Sequence, residues 1–306
     1  MLTSIYGAIV LGLLYALMAL GVYITFRILD FPDLTVDGSF VTGGAICATM
    51  ITHGYNPLIA TLAACAGGML AGACTGLLHT KGKVNGLLAG ILMMIALYSI
   101  NIRIMGSPYL SLLNIKTVLS PFFSKPIGVY IAIVFAVVII VKLLLDAFLH
   151  TDLGLALRAT GDNARMIRSF GANTDRTTIL GISISNGLVA LSGALIAQHG
   201  GSADVNMGVG MIVIGLASVI IGEAIFGARS VWVATLAVIV GSVVYRVVVA
   251  FALRVELFEA SDLKLITAMI VIVALVVPQI RRTLKQKSVA RKRTLALTGQ
   301  GKGGKA

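Results

Sequence analysis

The sequence predicts an all-α polytopic membrane protein with about nine transmembrane helices, eight to ten being compatible with it. Three observations predict this. Charged residues make up 12 % of the chain and hydrophobic ones 58 %, whereas a soluble domain carries about a quarter charged residues. Mean hydropathy is +0.99, which leaves too little polar surface to coat a globule. The apolar residues also gather in runs of about 20, the number that crosses ~30 Å of hydrocarbon as a helix.

In order, the runs lie near residues 3–27, 38–53, 57–79, 84–102, 127–149, 176–199, 209–227, 230–252 and 263–281. The N-terminal stretch Met1 to Tyr6 has no positive n-region and no peptidase site follows it, so the first run is expected to remain as a span. The second is short for a membrane crossing and follows a proline break. Gly67, Gly68 and Gly72 punctuate the third, where small residues let helices approach closely, as a many-helix bundle requires. Cys47, Cys65 and Cys74 sit inside apolar runs without CxxC spacing and read as small buried residues. Residues 1–281 therefore form one transmembrane domain, and 282–306 a basic tail expected to be disordered.

The net charge of +12 does not point to nucleic acid, because the basic residues are confined to short connections and the tail rather than spread over one face. With the C-terminus cytoplasmic, the inside segments hold Arg27, Lys81, Lys83, Arg158, Arg165, Arg168, Arg176, Arg229 and the nine basic residues from Arg281 to Lys305. The outside segments hold only Arg103, Lys116, Lys125, Arg254 and Lys264. Positive charge on inside loops sets this orientation, and nine spans then put the N-terminus outside.

Two stretches break the helical pattern. In Phe31-Pro32-Asp33-Leu34-Thr35-Val36-Asp37-Gly38-Ser39, a proline, two carboxylates and a glycine precede the short second run. Either Asp37 caps a half-helix that begins inside the membrane, against protein or a water-filled cavity, or it is an ordinary N-cap in a cytoplasmic turn. The glycine-rich stretch His199 to Gly210 is either a mouth loop that dips inward or a flexible connection.

The connection 151–176 is too long for a turn and has an amphipathic pattern of its own. Asp162 is placed to N-cap a short helix from Asn163 to Phe170, ended by Gly171. Met166, Ile167 and Phe170 share one side of it, and Arg165 and Arg168 project elsewhere. Such a helix either enters a groove on a partner or lies at the lipid interface.

Arg158-Ala159-Thr160-Gly161-Asp162-Asn163, followed by Gly171, resembles the cytoplasmic coupling helix of membrane subunits in ABC importers of the branched-chain amino acid and ribose type. The resemblance continues through Phe31 to Ser39, Val84-Asn85-Gly86, Tyr98 to Gly106 and Ala203 to Gly208, and is greatest to the subgroup paired with tryptophan-type binding proteins. It implies that the coupling segment docks into an ATP-hydrolysing subunit. It also implies a second permease subunit, identical or similar, and an extracytoplasmic solute-binding protein. ATP and Mg would be bound by the partner ATPase, with no cofactor in this chain, and the implied solute is an amino acid, of aromatic type in that subgroup. The Glu-Ala-Ala motif of the other main permease class is absent, since Arg165, Met166 and Ile167 stand in its place.

Ionisable groups within spans cost a few kcal/mol on insertion scales and so mark candidate functional positions. Lys142 and Asp146, at i and i+4, read as a local ion pair with a snorkelling lysine. Glu223 has no partner near it in sequence, and either pairs with a basic residue on another helix or lines the inner gate. Arg103 and Arg246, with Asn85 and Asn101, either line a path for a carboxylate in transit or hydrogen-bond between helices. The candidate path residues are thus Asp37, Asn85, Asn101, Arg103, Glu223 and Arg246.

No catalytic chemistry is written in the chain. Gly299 and Gly304-Lys305 imitate a phosphate loop, but Ala306 stands where a Ser or Thr is required. No HExxH pair, nucleophile elbow or metal-ligand cluster is present. The competing reading is an ion-coupled secondary transporter, which predicts inverted repeats around a midplane ion site. The spans show no matched pair of acidic breaks.

Overall fold

The computed structural model describes residues 2–252, apart from 114, 124, 228 and 229, and beyond them 265, 268, 269, 272 and 276. The described chain is helical almost throughout. Helix α1 (Leu2–Val22) runs on through a π-helical turn, Tyr23–Ile28, and is followed by α2 (Thr35–Thr52), α3 (Pro57–Thr80) and α4 (Gly86–Met105). Strand β1 (Tyr109–Ser111) and the single turn α5 (Ser120–Phe123) lead to α6 (Ile127–Leu149), α7 (Asp152–Ser169) and α8 (Thr174–Gly200). Strand β2 (Ser202–Asp204) and a 3₁₀ turn (Val205–Gly208) precede α9 (Met211–Phe226) and α10 (Val231–Ala252).

Among the described residues seven helical segments are long and apolar enough to cross a membrane. The run at 38–53 is not one of them. It forms α2, which begins at Thr35 and is buried along most of its length among α3, α4 and α8. A helix surrounded by protein does not need the hydropathy that lipid demands, which explains its modest apolarity. The run at 263–281 and the tail 282–306 lie outside the described residues, five positions of the former excepted.

Helix α8 is the axis of the bundle, packed against α3, α2 and α1. Its small residues allow this. Ser185 and Ser192 donate from their hydroxyls to the carbonyls of Gly21 (2.7 Å) and Leu14 (2.8 Å) on α1, and Gly193 lies against the Phe40 carbonyl. Close backbone approach of this kind drives helix association where lipid offers no hydrophobic gradient. The outward faces of α3, α4 and α6 carry exposed apolar residues, among them Leu62, Leu70, Leu92, Ile140 and Leu144, as a lipid-facing surface would.

Strands β1 and β2 pair antiparallel, Tyr109 opposite Asp204, and tie the exit of α4 to the exit of α8 at one end of the bundle. Helix α7 lies at the other end, between α6 and α8. Lys142 and Asp146 do form an ion pair, but its lysine does not snorkel, since both side chains are buried. Lys142 lies 4.6 Å from the centre of the Trp232 ring, and Thr235 donates to Asp146 at 2.8 Å, so the charges are held between α6 and α10.

Candidate functional site

The proline break becomes a re-entrant turn. After the π-turn the Phe31 amide donates to the Thr25 carbonyl (2.9 Å), and Asp33 is taken into the interior with no exposed surface. Its carboxyl accepts from the Thr35 amide (2.9 Å) and the Asn186 side-chain amide (2.7 Å) on α8. Thr35 and Thr75 share a hydroxyl hydrogen bond of 2.8 Å. Phe31 and Leu34 pack against Gly86 and Gly90, so α2 starts beside the first turns of α4 rather than beyond them.

Asp33, not Asp37, therefore holds the first amide of α2. Asp37 caps a different helix, 173 residues further on: its two carboxyl oxygens accept from the amides of Gly210 (2.9 Å) and Ile212 (2.8 Å) at the start of α9. Ile212 packs with Tyr15, Met18 and Val22 from the middle and later turns of α1, so α9 begins inside the bundle. The stretch before it descends from β2, with Met207 against Gly44 and Gly208 against the Asp37 carbonyl. The glycine-rich stretch thus dips inward. Neither reading of Asp37 as the cap of the helix that follows it is matched, because Asp37 lies in the first turn of α2 and its carboxyl serves the start of α9.

Two hollows flank this descending segment and share Val209. One, of about 240 Å³, is lined by Asp37, Gly38, Val41, Met94, Tyr98 and Asn101 among others. Asn101 donates to the Gly38 carbonyl (3.3 Å), and its own buried carbonyl oxygen has no hydrogen-bond partner. The other, of about 420 Å³, is lined by Tyr15, Gly210, Met211, Ile214, Val249 and Arg246, with Tyr245 and further apolar residues. Here the Arg246 guanidinium lies over the Tyr15 ring, 3.7 Å from its centre, and Tyr15 stacks in turn on Phe40.

Three of the candidate path residues stand elsewhere. Asn85 is exposed and caps α4, accepting from the Leu87 amide at 3.0 Å. Arg103 is exposed in the last turn of α4. Glu223 accepts from Arg27 at 2.8 Å, a pair between α9 and the π-helical turn after α1 whose arginine is 56 % exposed.

At the opposite end of the bundle from β1 and β2, α7 is two helices joined by a kink at Asn163 (φ −159°, ψ 87°). The first is anchored. Leu157 is buried, Gly161 packs against the Ile28 carbonyl, and the Thr160 and Thr177 hydroxyls bond at 3.0 Å. The Arg158 side chain is half-buried, its Nε unpartnered. The second helix starts one residue later than Asp162 would start it: Asn163 is the cap, accepting from the Met166 amide at 3.1 Å. Asp162 continues the first helix and stays exposed, because that helix already runs from its own cap at Thr151. Gly171 ends the element as the sequence implies, at φ +84°, a left-handed position that a side chain would strain.

Met166 is 51 % exposed and Phe170 77 %, with Ile167 half-covered beside them. Arg165 is exposed, and Arg168 donates to the Thr174 hydroxyl at 2.6 Å, tying the tip to α8. An exposed phenylalanine and methionine on a short capped helix form an apolar knob.

Sequence reasoning missed the role of Asp33, Asn186 and Gln198. Gln198 donates to the Thr61 hydroxyl (2.8 Å) and accepts from the Val118 amide (2.9 Å). Their signal was available, since each is a polar side chain in or beside an apolar run, where an unmet hydrogen bond is costly.

The described chain is thus a polytopic helical bundle with an inward-dipping helix start flanked by hollows and an apolar knob on a helix between two spans. The chain belongs to the family of branched-chain amino acid transport system permease components, whose model it matches over residues 4–276. It is 46 % identical over 285 residues to a tyrosine transport system permease protein of Clostridioides difficile, covering 93 % of this chain and 95 % of that one. It is 28 % identical over 211 residues to the ribose import permease of Escherichia coli, 68 % of this chain and 65 % of that one. No solved structure matches it. The protein is a multi-pass inner-membrane permease subunit of an ABC importer and not itself an enzyme, and the family implies a separate ATPase and a solute-binding protein as partners. This places it apart from ion-coupled secondary transporters.

Proposed function

We propose that this chain forms half of the path by which an ABC importer carries an aromatic amino acid into the cell. The substrate class rests on the 46 % identity to a tyrosine-system permease across nearly the full length of both chains. Residues 1–281 form the permease domain, crossing nine times with α2 and the run at 263–281 included. Two copies of the chain enclose the path within the lipid. The re-entrant segment between the hollows, with Asp37, Asn101 and Arg246 at its walls, is the part of this half that meets solute. Asn85 and Glu223 serve the frame by the bonds described above, and Arg103 lies exposed in the last turn of α4, away from the hollows.

Residues 151–176 are the coupling segment, and ATP with Mg is held by the ATPase. The end of the bundle that carries α7 also carries Arg27, Lys81, Lys83, Arg158, Arg165, Arg168 and Arg176, which favours the cytoplasm for that end and for the basic tail, and puts the N-terminus outside. The observation that carries the reading is the apolar knob itself: Met166 and Phe170 are uncovered by this chain on a short capped helix in the connection between two spans. Copurification from mild detergent tests it. The wild-type chain is expected to bring down a nucleotide-binding ATPase and Phe170→Asp to lose it; equal recovery with both would reject 151–176 as the docking element.

A further inference from the structure

Among the described residues two cations lie more than a turn inside a span, Lys142 in α6 and Arg246 in α10. Their surroundings differ. Lys142 has its counter-charge in Asp146 and is buried with it. Arg246 has no carboxyl partner among the described residues, and its Nε is buried without a hydrogen bond. What it has instead is the face of Tyr15, 3.7 Å from the guanidinium carbon. A cation in a span is costly unless something compensates it, and a ring face offsets only part of that cost.

The stacking has a geometric consequence. Tyr15 also stacks on Phe40, which is fully buried, with the ring centres 6.0 Å apart and the planes 4° from parallel. The guanidinium carbon thus rests on an aromatic pair, and a guanidinium offers a carboxylate a bidentate fork of N–H donors. Arg246 belongs to the wall of a hollow of about 420 Å³, within the size range of small-molecule sites. The rest of the described wall is mainly apolar, with Val213, Ile214 and Val249 lining the same space beside Tyr15 and Tyr245. One fixed cation in an apolar cup accepts a molecule with a carboxylate at one end and an uncharged apolar or aromatic body.

We infer that Arg246, set by Tyr15, forms a transit subsite that binds the α-carboxylate of the amino acid on its way through the permease, with the apolar wall receiving its side chain. This rests on the reading that an amino acid is the solute. The subsite also gives a role to an arginine inside a span that has no carboxyl partner among the described residues.

The test uses the permease and ATPase complex in lipid nanodiscs, without the binding protein, and follows saturation transfer to the ring protons of L-tyrosine, L-phenylalanine and tyramine. Tyramine keeps the ring and the amine but lacks the carboxylate. The two amino acids are expected to give transfer roughly tenfold stronger than tyramine, the size of one charge-assisted contact. Arg246→Met should reduce the amino-acid signal to the tyramine level, and Arg246→Lys should restore part of it. Equal signals from tyrosine and tyramine on the wild type would overturn the subsite without any variant, as would an undiminished signal with Arg246→Met or no amino-acid signal at all. Import of labelled L-tyrosine by the complete system in proteoliposomes separates the two levels. Import that Arg246→Met leaves unchanged overturns the subsite alone, whereas a wild type that imports no amino acid overturns the substrate class.

Discussion

The seam where α2, α3 and α8 meet and the tip of α7 beyond Asn163 are built on opposite terms. In the seam, backbone approaches backbone: Gly43, Gly68 and Gly72 face Ala190, Asn186 and Ile182 with no side chain between them. At the tip, Met166 and Phe170 have little of the chain against them. The seam has used its surface on itself and behaves as frame, while the tip keeps its surface for something else. A substitution in the seam should therefore read out as stability, and one at the tip as lost partnership.

The largest effect is expected at Gly43. A Cβ there would stand 1.9 Å from the carbonyl oxygen of Ala190, so two helix backbones would have to separate. Gly43→Ala is expected to destabilise the bundle by at least ~3 kcal/mol, the upper range for overpacking. Gly128→Ala, where nothing lies within 4 Å of the added carbon, should change stability by under ~0.5 kcal/mol. Thermal melts followed by size-exclusion recovery would show the difference, and similar melts for the two would mean that the seam is not the tight element.

Asp37 comes next, because it joins α2 to α9 through two amides. Asp37→Leu is expected to lose about 2 kcal/mol of local stability, in the range for a helix cap and for hydrogen bonds to a carboxyl. The Gly210 and Ile212 amides should then exchange with solvent roughly 30-fold faster. Exchange at wild-type rates would show that the descending segment is held by packing alone.

These two positions also mark how far sequence carries. The spans were legible because hydropathy is a local property averaged over about 20 residues, and Gly171 was legible because a helix stop is local too. The second run misled because α2 is solvated by protein, which leaves no strong hydropathy signature. The Asp37 cap was half legible: a carboxylate after a proline break announces a cap, but its helix lies 173 residues away and only the fold brings them together. Asp162 and Asn163 are adjacent and both suited to capping, so the choice between them turned on whether the preceding helix reached Asp162. It does. The stack of Arg246 on Tyr15 joins α10 to α1 and has no sequence signal beyond an arginine in an apolar run.

At the tip the stability effects shrink and become local. Asn163→Ala removes the acceptor of the Met166 amide and is expected to cost about 1 kcal/mol, confined to hydrogen exchange in residues 164–169. Global melting should hardly move, because few contacts tie those residues to the bundle. A fall in the melting temperature as large as that of Asp37→Leu would mean that the tip is part of the frame after all.

Phe170→Asp is the smallest perturbation of the isolated chain and the most telling of the comparison. The side chain is 77 % exposed, so an aspartate there should change stability by under ~0.5 kcal/mol. Its charge falls in the last turn of the helix, beside Arg168, where the dipole penalty and the attraction to the arginine are both small in water. On a partner surface the same carboxylate would be desolvated without a counter-charge, which is a severe cost. A variant that melts as wild type and fails to retain the ATPase would therefore place the function of this helix wholly in its contact with another subunit. A variant that loses both together would show that Phe170 packs on its own chain, and the distinction between seam and tip would fall.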